Sequence, residues 1–241
     1  MYRLADVGEV LVTTGRLLAF QRVVPDMKRL GPLYVAMGLA FAWLAGVGRY
    51  WDHPKAELWQ HLGLGSVAYV FAMAFLLWLI VWPLNPRGWR YRNVLVFVAL
   101  TSPPAILYAI PVERFMALEA ARSANVWFLA TVALWRVLLL WLFLQRAAGL
   151  SHVRVFIGTF LPITLVVVAL SILNLQHATF EIMGGLGPAE RTSQDAAYGI
   201  LITMSFLSIF ALPFLLIAYL FLAIKARPSA WDDQSDDQSS A

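Results

Sequence analysis

The stretch that decides the fold runs from Trp82 to Arg114 and reads WPLNPRGWRYRNVLVFVALTSPPAILYAIPVER. It begins with a basic turn that contains Arg87, Arg90 and Arg92. An apolar segment follows and is interrupted by two adjacent prolines, Pro103 and Pro104. Proline has no backbone N–H and clashes with the preceding turn, so the pair should break a helix within the membrane. The basic turn should stay on the cytoplasmic side, where short loops accumulate Lys and Arg.

The composition predicts a polytopic membrane protein. Of the 241 residues, 61% are hydrophobic and only 13% are charged, whereas soluble proteins have about 25% charged residues. The mean hydropathy is +0.71, and several apolar runs approach the ~20 residues that span a bilayer. There is no cysteine, which excludes disulfides and thiolate chemistry. The basic residues are spread over short loops, so no nucleic-acid partner is predicted.

The apolar runs predict an all-α bundle of six transmembrane helices in a domain of residues 30–225. The predicted spans are Gly31–Gly48, Gly63–Trp82, Val94–Ile110, Val126–Leu144, Val153–Leu173 and Tyr198–Ile224. With both termini in the cytoplasm, twelve Lys and Arg residues outside the spans fall on the cytoplasmic side and five on the other. The positive-inside rule favours that orientation. We predict an integral protein of a bacterial inner (plasma) membrane.

The segments that flank the predicted bundle differ in character. Residues 1–29 alternate apolar and basic side chains, which is typical of an amphipathic helix. Such a helix either lies among lipid headgroups, with its arginines toward anionic lipid, or packs on the bundle. Residues 226–241 end in WDDQSDDQSSA, an acidic stretch that predicts a disordered tail.

The first predicted span contains small residues at every fourth position, namely Gly38, Ala42 and Gly46. A stripe of this kind lets a neighbouring helix approach closely. We interpret it as a packing surface within the bundle, and as the place where a protein partner or a second copy of the chain would bind.

Arg136 is the one charged side chain near the middle of a predicted span. A central Arg costs roughly 2.5–3.5 kcal/mol on insertion scales, so it should face the bundle interior and find partners. No predicted span contains Asp or Glu. The proline pair should free backbone carbonyls one turn earlier, near Ala99 and Leu100, and the Arg136 guanidinium could bind them. On this interpretation Arg136 fastens the broken third helix.

A functional alternative makes Arg136 the counter-ion of an anionic ligand or lipid headgroup. Thr101, Ser102 and Tyr108 would then line the cavity that holds the ligand. Further prolines within spans, Pro162 and Pro213, are compatible with a transporter, although membrane helices also tolerate proline without such a role.

Enzymatic and metal chemistry find little support in the sequence. His53, Glu57 and His61 recur every fourth residue, but Pro54 should begin the helix and misalign His53, so an interfacial helix is the better interpretation. The predicted spans contain no Lys, so no retinal Schiff base is available, and they contain no His, which argues against b-type haem ligation inside the bundle. No metal, cofactor or catalytic residue is predicted.

The entry to the first span, DMKRLGPLY at 26–34, resembles the acidic-residue-then-Gly-Pro entry of Yip1-domain membrane proteins. The proline-rich segment Thr101–Pro111 is similar to a later span of that family. Here extra residues separate Asp26 from the Gly-Pro pair, and we count six spans where the family usually has five. The resemblance implies a cytoplasmic N-terminus, an all-helical bundle and a non-enzymatic role in membrane organisation.

Two functions therefore follow as hypotheses. The first is a non-enzymatic scaffold or accessory subunit, because the sequence has short loops and no catalytic constellation. The second is a small transporter or lipid- or anion-binding protein that uses Arg136.

Overall fold

A computed structural model describes residues 2–50, 57–173 and 195–226. Within these ranges the chain is helical and contains no β-strand. The α-helices are α1 (Leu4–Leu18), α2 (Gly31–Tyr50), α3 (Leu58–His61), α4 (Leu64–Val81), α5 (Tyr91–Leu100), α6 (Leu118–Arg146), α7 (His152–Ile172) and α8 (Asp195–Lys225). Short 3₁₀ helices lie at Trp82–Leu84, Pro103–Ala109 and Val112–Arg114.

Five helices are long and apolar enough to cross a membrane, namely α2, α4, α6, α7 and α8. They coincide with the first, second, fourth, fifth and sixth predicted spans, and the all-helical membrane class is confirmed. The count of six spans and the cytoplasmic position of both termini stay predictions.

The third predicted span is not one continuous helix. Its α-helix, α5, ends at Leu100, and the chain continues as the 3₁₀ helix Pro103–Ala109. At the junction the Ser102 N–H donates to the Ala99 carbonyl at 3.0 Å, and the Ala105 N–H donates to the Ser102 carbonyl at 2.9 Å. These are the tighter bonds of a 3₁₀ turn. The predicted break at the proline pair is confirmed.

α5 lies at the centre of the bundle. Its residues Val94, Val98 and Ala99 are buried in a core shared with α2, α4, α6 and α7. Phe97 stacks on Phe143 of α6, with 4.1 Å between the ring centroids. Most of α5 is thus buried, although it is shorter than the apolar helices around it.

The small-residue stripe of α2 packs within the chain. A Cβ added to Gly38 would lie less than 3 Å from the carbonyl oxygen of Ala99, and one added to Gly46 less than 3 Å from the Ser66 hydroxyl. Ala42, between them, is buried. The helices that approach α2 closely along this stripe are therefore α5 and α4, as expected for small residues. The face that we considered for a partner or second copy is covered by the chain's own helices along this stripe.

The N-terminal helix packs on the bundle. Val10 on α1 is completely buried and forms a cluster with Leu30, Tyr34, Val96 and Leu100. The structure thus shows the packing contact that we considered for residues 1–29, and the position of their arginines toward anionic lipid stays a prediction. The opposite face of α1 remains exposed. The predicted acidic tail lies outside the described residues apart from Ala226.

Candidate functional site

Arg136 lies on α6, half-buried, between α4 and the broken third span. Its Nε–H donates to the backbone carbonyl of Thr101, with 3.2 Å between nitrogen and oxygen. The guanidinium carbon also lies 5.7 Å from the centre of the Tyr69 ring on α4, a distance at which a cation and an aromatic face attract each other. A carbonyl and an aromatic ring therefore hold the charge in place.

The proline pair explains why the carbonyl of Thr101 is available. In a continuing helix this oxygen would accept from residue 104 or 105. Pro104 has no N–H, and the Ala105 N–H binds the Ser102 carbonyl instead. The expected acceptors, near Ala99 and Leu100, differ from the observed one, because the Ala99 carbonyl already accepts from Ser102. Arg136 thus fastens the break as expected, but through Thr101.

The other predicted site residues are only partly brought together. The side chains of Thr101 and Ser102 are both buried. The Thr101 hydroxyl donates to the Val98 carbonyl in its own helix, at 2.8 Å, so Thr101 meets Arg136 through its backbone. Tyr108 lies in the 3₁₀ helix, and its side chain is outside the described part of the structure.

No carboxylate pairs with Arg136 in the described ranges. The ion pairs found there all involve Arg29, which contacts Asp6, Glu9 and Asp26. Within the described residues no carboxylate therefore neutralises the charge of the Arg136 guanidinium. Arg136 is therefore both a structural clamp and the candidate for attracting an anion near the middle of a described span.

The end of the N-terminal helix is bound to α6 at Trp135, the residue that precedes Arg136 in the sequence. The Trp135 indole N–H donates to the carbonyl of Leu18 at 2.9 Å, and the ring stacks on Phe20 with 6.3 Å between centroids. Further toward the end of α6, Arg146 donates to the carbonyl of Phe20 at 2.8 Å. Sequence reasoning missed these contacts. The sequence carried no local signal for them, because α6 contains three Trp residues and several Arg residues that the pattern does not distinguish.

The turn after α1 has an unusual residue at its tightest position. The Phe20 N–H donates to the Leu17 carbonyl and the Gln21 N–H to the Arg16 carbonyl, the two bonds of a Schellman motif. Phe20 takes the left-handed position of that motif, with φ = +61°, where glycine is usual because a Cβ costs roughly 1–2 kcal/mol. The contacts of Phe20 with Trp135 and Arg146 offset this cost.

A cluster of ion pairs and hydrogen bonds lies at the other end of the N-terminal segment, just before α2. Asp26 accepts the Arg29 backbone N–H at 3.0 Å, and the Arg29 guanidinium binds Asp6 and Glu9 on α1. Arg92 donates to the Met27 carbonyl at 2.7 Å. The Arg29 N–H, with its nearby guanidinium, holds the pKa of Asp26 below its ordinary value of 3.8.

The lowered pKa predicts a loss of stability in acid. A carboxyl group whose pKa is lower in the folded state stabilises the fold above its ordinary pKa and loses that contribution as the pH falls through the folded value. Wild type should therefore be more stable than Asp26→Asn at pH 7, and the difference should shrink below pH 3.8. Thermal unfolding in detergent from pH 7 to 3 measures it. A difference that stays constant over this range would contradict the prediction.

The residues weighed as metal ligands in the loop after α2 are described only in part. His53 lies outside the described residues, whereas His61 ends the short helix α3. Among the described residues no group of three His, Cys, Asp or Glu side chains is placed to hold a metal ion.

Comparison with known proteins yields no relative for this chain. No protein-family model, no curated protein and no solved structure matches it. The function must therefore be argued from the molecule itself.

Proposed function

We propose that the protein is a membrane-embedded scaffold or accessory subunit that binds a helix of a partner protein through α8. The observation that carries this proposal is the exposure of α8. Of the apolar segment Thr203–Lys225, only 6% is buried within the chain. By the same measure, 44% of the span formed by α7 is buried.

The exposed surface of α8 has a regular pattern. Six large side chains recur at intervals of three and four residues, which places them on one face of the helix. They are Phe206, Phe210, Phe214, Ile217, Phe221 and Ile224, and each is 58–74% exposed. Phe206 and Phe210 are in ring contact, with 4.6 Å between centroids.

A face of this kind suits a second helix. Aromatic and branched side chains at three- and four-residue spacing form knobs that interdigitate with a neighbouring helix. On its other side α8 packs mainly on α7, with Leu212, Leu215 and Leu216 in a cluster with Ile157 and Leu161. The aromatic face, defined as these six residues, is then free to contact a partner without disturbing the bundle.

The contacts of Arg136 support the same proposal. Its Nε–H and its guanidinium face are engaged by Thr101 and Tyr69, so the charge has a structural use that needs no ligand. A role in membrane organisation, which the resemblance to Yip1-domain proteins implies, agrees with a bundle that acts by contact.

The experiment is purification from the native membrane in mild detergent. We expect a membrane protein to co-purify with wild type in stoichiometric amount and to be lost from Phe210→Ala/Phe214→Ala. The matched control is Phe71→Ala/Phe75→Ala, which removes two exposed rings from α4. The control should retain the partner.

Two outcomes would contradict the proposal. Loss of the partner from both double variants would show a general effect of apolar exposure rather than binding by α8. If wild type purifies without any partner protein in stoichiometric amount, the scaffold function itself is contradicted.

One observation favours a second candidate function. Arg136 has no carboxylate partner among the described residues, and its hydrogen bond to Thr101 uses only one of five N–H donors. The terminal nitrogens suit a phosphate or carboxylate group, and the protein would then be a lipid- or anion-binding protein or a small transporter. The experiment that separates this function from a structural clamp is given in the Discussion.

A further inference from the structure

The exposed side of α1 carries a groove that the sequence pattern did not reveal. It encloses about 480 Å³ and is open to the surroundings. One wall comes from α1 and includes Glu9, Val12, Thr13 and Arg16, while the other is the returning chain with Arg22 and Val24.

The groove is a consequence of the turn after α1. The Schellman motif at Phe20 reverses the chain, so that residues 22–24 run back along the helix. Arg146 and Trp135 hold this turn on α6, and Arg92 on α5 donates to the Met27 carbonyl at the far end of the segment. Both walls are therefore fixed to the bundle before any ligand arrives.

The groove is electrostatically unbalanced. Arg16 and Arg22 both line it, and neither forms an ion pair within the described residues. Its single carboxylate, Glu9, is bound by the Arg29 guanidinium. Two unneutralised guanidinium groups therefore face one concave surface.

The edges of the groove are apolar and exposed. Val12 is 55% and Val24 is 96% accessible, which is costly in water but favourable in contact with lipid. The segment that forms the groove is bound by Arg92 at the start of α5 and by Arg146 at the end of α6. These two residues lie near one end of the bundle, where headgroups are found, and Trp135 binds the same segment deeper along α6. Basic residues above an apolar edge are the pattern of a helix that lies at a membrane interface.

We propose that this groove binds the headgroup of an anionic phospholipid. The phosphate would lie between Arg16 and Arg22, because guanidinium groups bind phosphate oxygens in a bidentate manner. The Thr13 side chain would donate to the same group, and the start of the acyl chains would contact Val12 and Val24. The site is separate from Arg136 and does not depend on the proposed scaffold function.

The test is a lipid titration of the detergent-purified full chain with phosphatidylglycerol and, in parallel, with phosphatidylcholine. Phosphatidylglycerol should raise the thermal unfolding temperature of wild type, because a ligand that binds only the folded state stabilises it. The apparent affinity should fall by roughly tenfold or more in Arg16→Gln/Arg22→Gln, because charge-assisted bonds to phosphate are lost. Native mass spectrometry counts the bound lipid independently of any change in unfolding temperature.

The matched control is Lys28→Gln/Lys225→Gln, which removes two exposed positive charges outside the groove. It should bind phosphatidylglycerol as wild type does. Equal losses in the two double variants would overturn the proposal, since they would indicate general attraction to surface charge. Equal stabilisation by inorganic phosphate alone, or by phosphatidylcholine, would also overturn it. So would unchanged lipid binding in Arg16→Gln/Arg22→Gln.

Discussion

Gly38→Val is expected to destabilise the protein by about 3 kcal/mol, in the upper part of the range for overpacked sites. A Cβ at position 38 would lie less than 3 Å from the carbonyl oxygen and the carbonyl carbon of Ala99. Both are backbone atoms, so no side-chain rotation relieves the clash. The helices α2 and α5 would have to separate, and α5 is the element on which the core depends. Unfolding by SDS or heat in mild detergent micelles measures the loss.

The control for Gly38→Val is Ala40→Val on the same helix. Ala40 is exposed, so its extra methyl groups should meet detergent or lipid and change the stability little. If both variants lose the same stability, the cause is the helix propensity of valine, and the close contact with Ala99 is not the determinant. Gly38→Ala should show most of the effect, because its Cβ already clashes.

Arg136→Gln should destabilise the protein by about 2 kcal/mol, because it leaves the Thr101 carbonyl without its donor in an apolar environment. The Tyr69 ring loses its cation at the same time. Removal of the charge from the apolar bundle should by itself raise the stability. Insertion scales put this gain at roughly 2.5–3.5 kcal/mol for an unpartnered Arg. The carbonyl and the ring already compensate most of that cost in wild type. Unchanged or increased stability would show that Arg136 does not fasten the break.

The same variant separates the two candidate functions when anionic lipid is added. If Arg136 is a clamp, Arg136→Gln should be destabilised equally with and without phosphatidylglycerol, and the lipid-dependent shift should persist. If the shift disappears in Arg136→Gln but persists in Arg16→Gln/Arg22→Gln, the lipid binds at Arg136 and the groove is not the site. The anion-binding function would then replace the scaffold.

Local patterns predicted most of the helices. Apolar runs of about 20 residues predicted α2, α4, α7 and the membrane parts of α6 and α8, because the thickness of a bilayer sets the length of a spanning helix. The end of α5 at Leu100 followed from proline chemistry alone. The sequence did not predict the 3₁₀ helix of residues 103–109. Its formation depends on which of several nearby carbonyls accepts the Ala105 N–H.

The candidate site was predicted less completely than the fold. The chemistry of Arg136 implied a carbonyl acceptor near the break, and the acceptor, Thr101, lies one residue beyond Leu100. The neighbouring contacts of Leu18 and Phe20 had no local signature. Their partners, Trp135 and Arg146, are 117 and 126 residues away in the chain. Hydropathy and spacing carry no information over such separations.

The bond between Arg146 and Phe20 also orders events during synthesis. The two residues are separated by 126 positions, which a ribosome covers in roughly 6–25 s at 5–20 residues per second. Until α6 has emerged, α1 has neither Trp135 nor Arg146 to bind, and the left-handed Phe20 has nothing to offset its strain. The turn at the end of α1 is therefore made several seconds before the residues that hold it, and it reaches its final place only after α6 has emerged. During this interval the contacts of Val10 with α2 and α5 are available to hold α1.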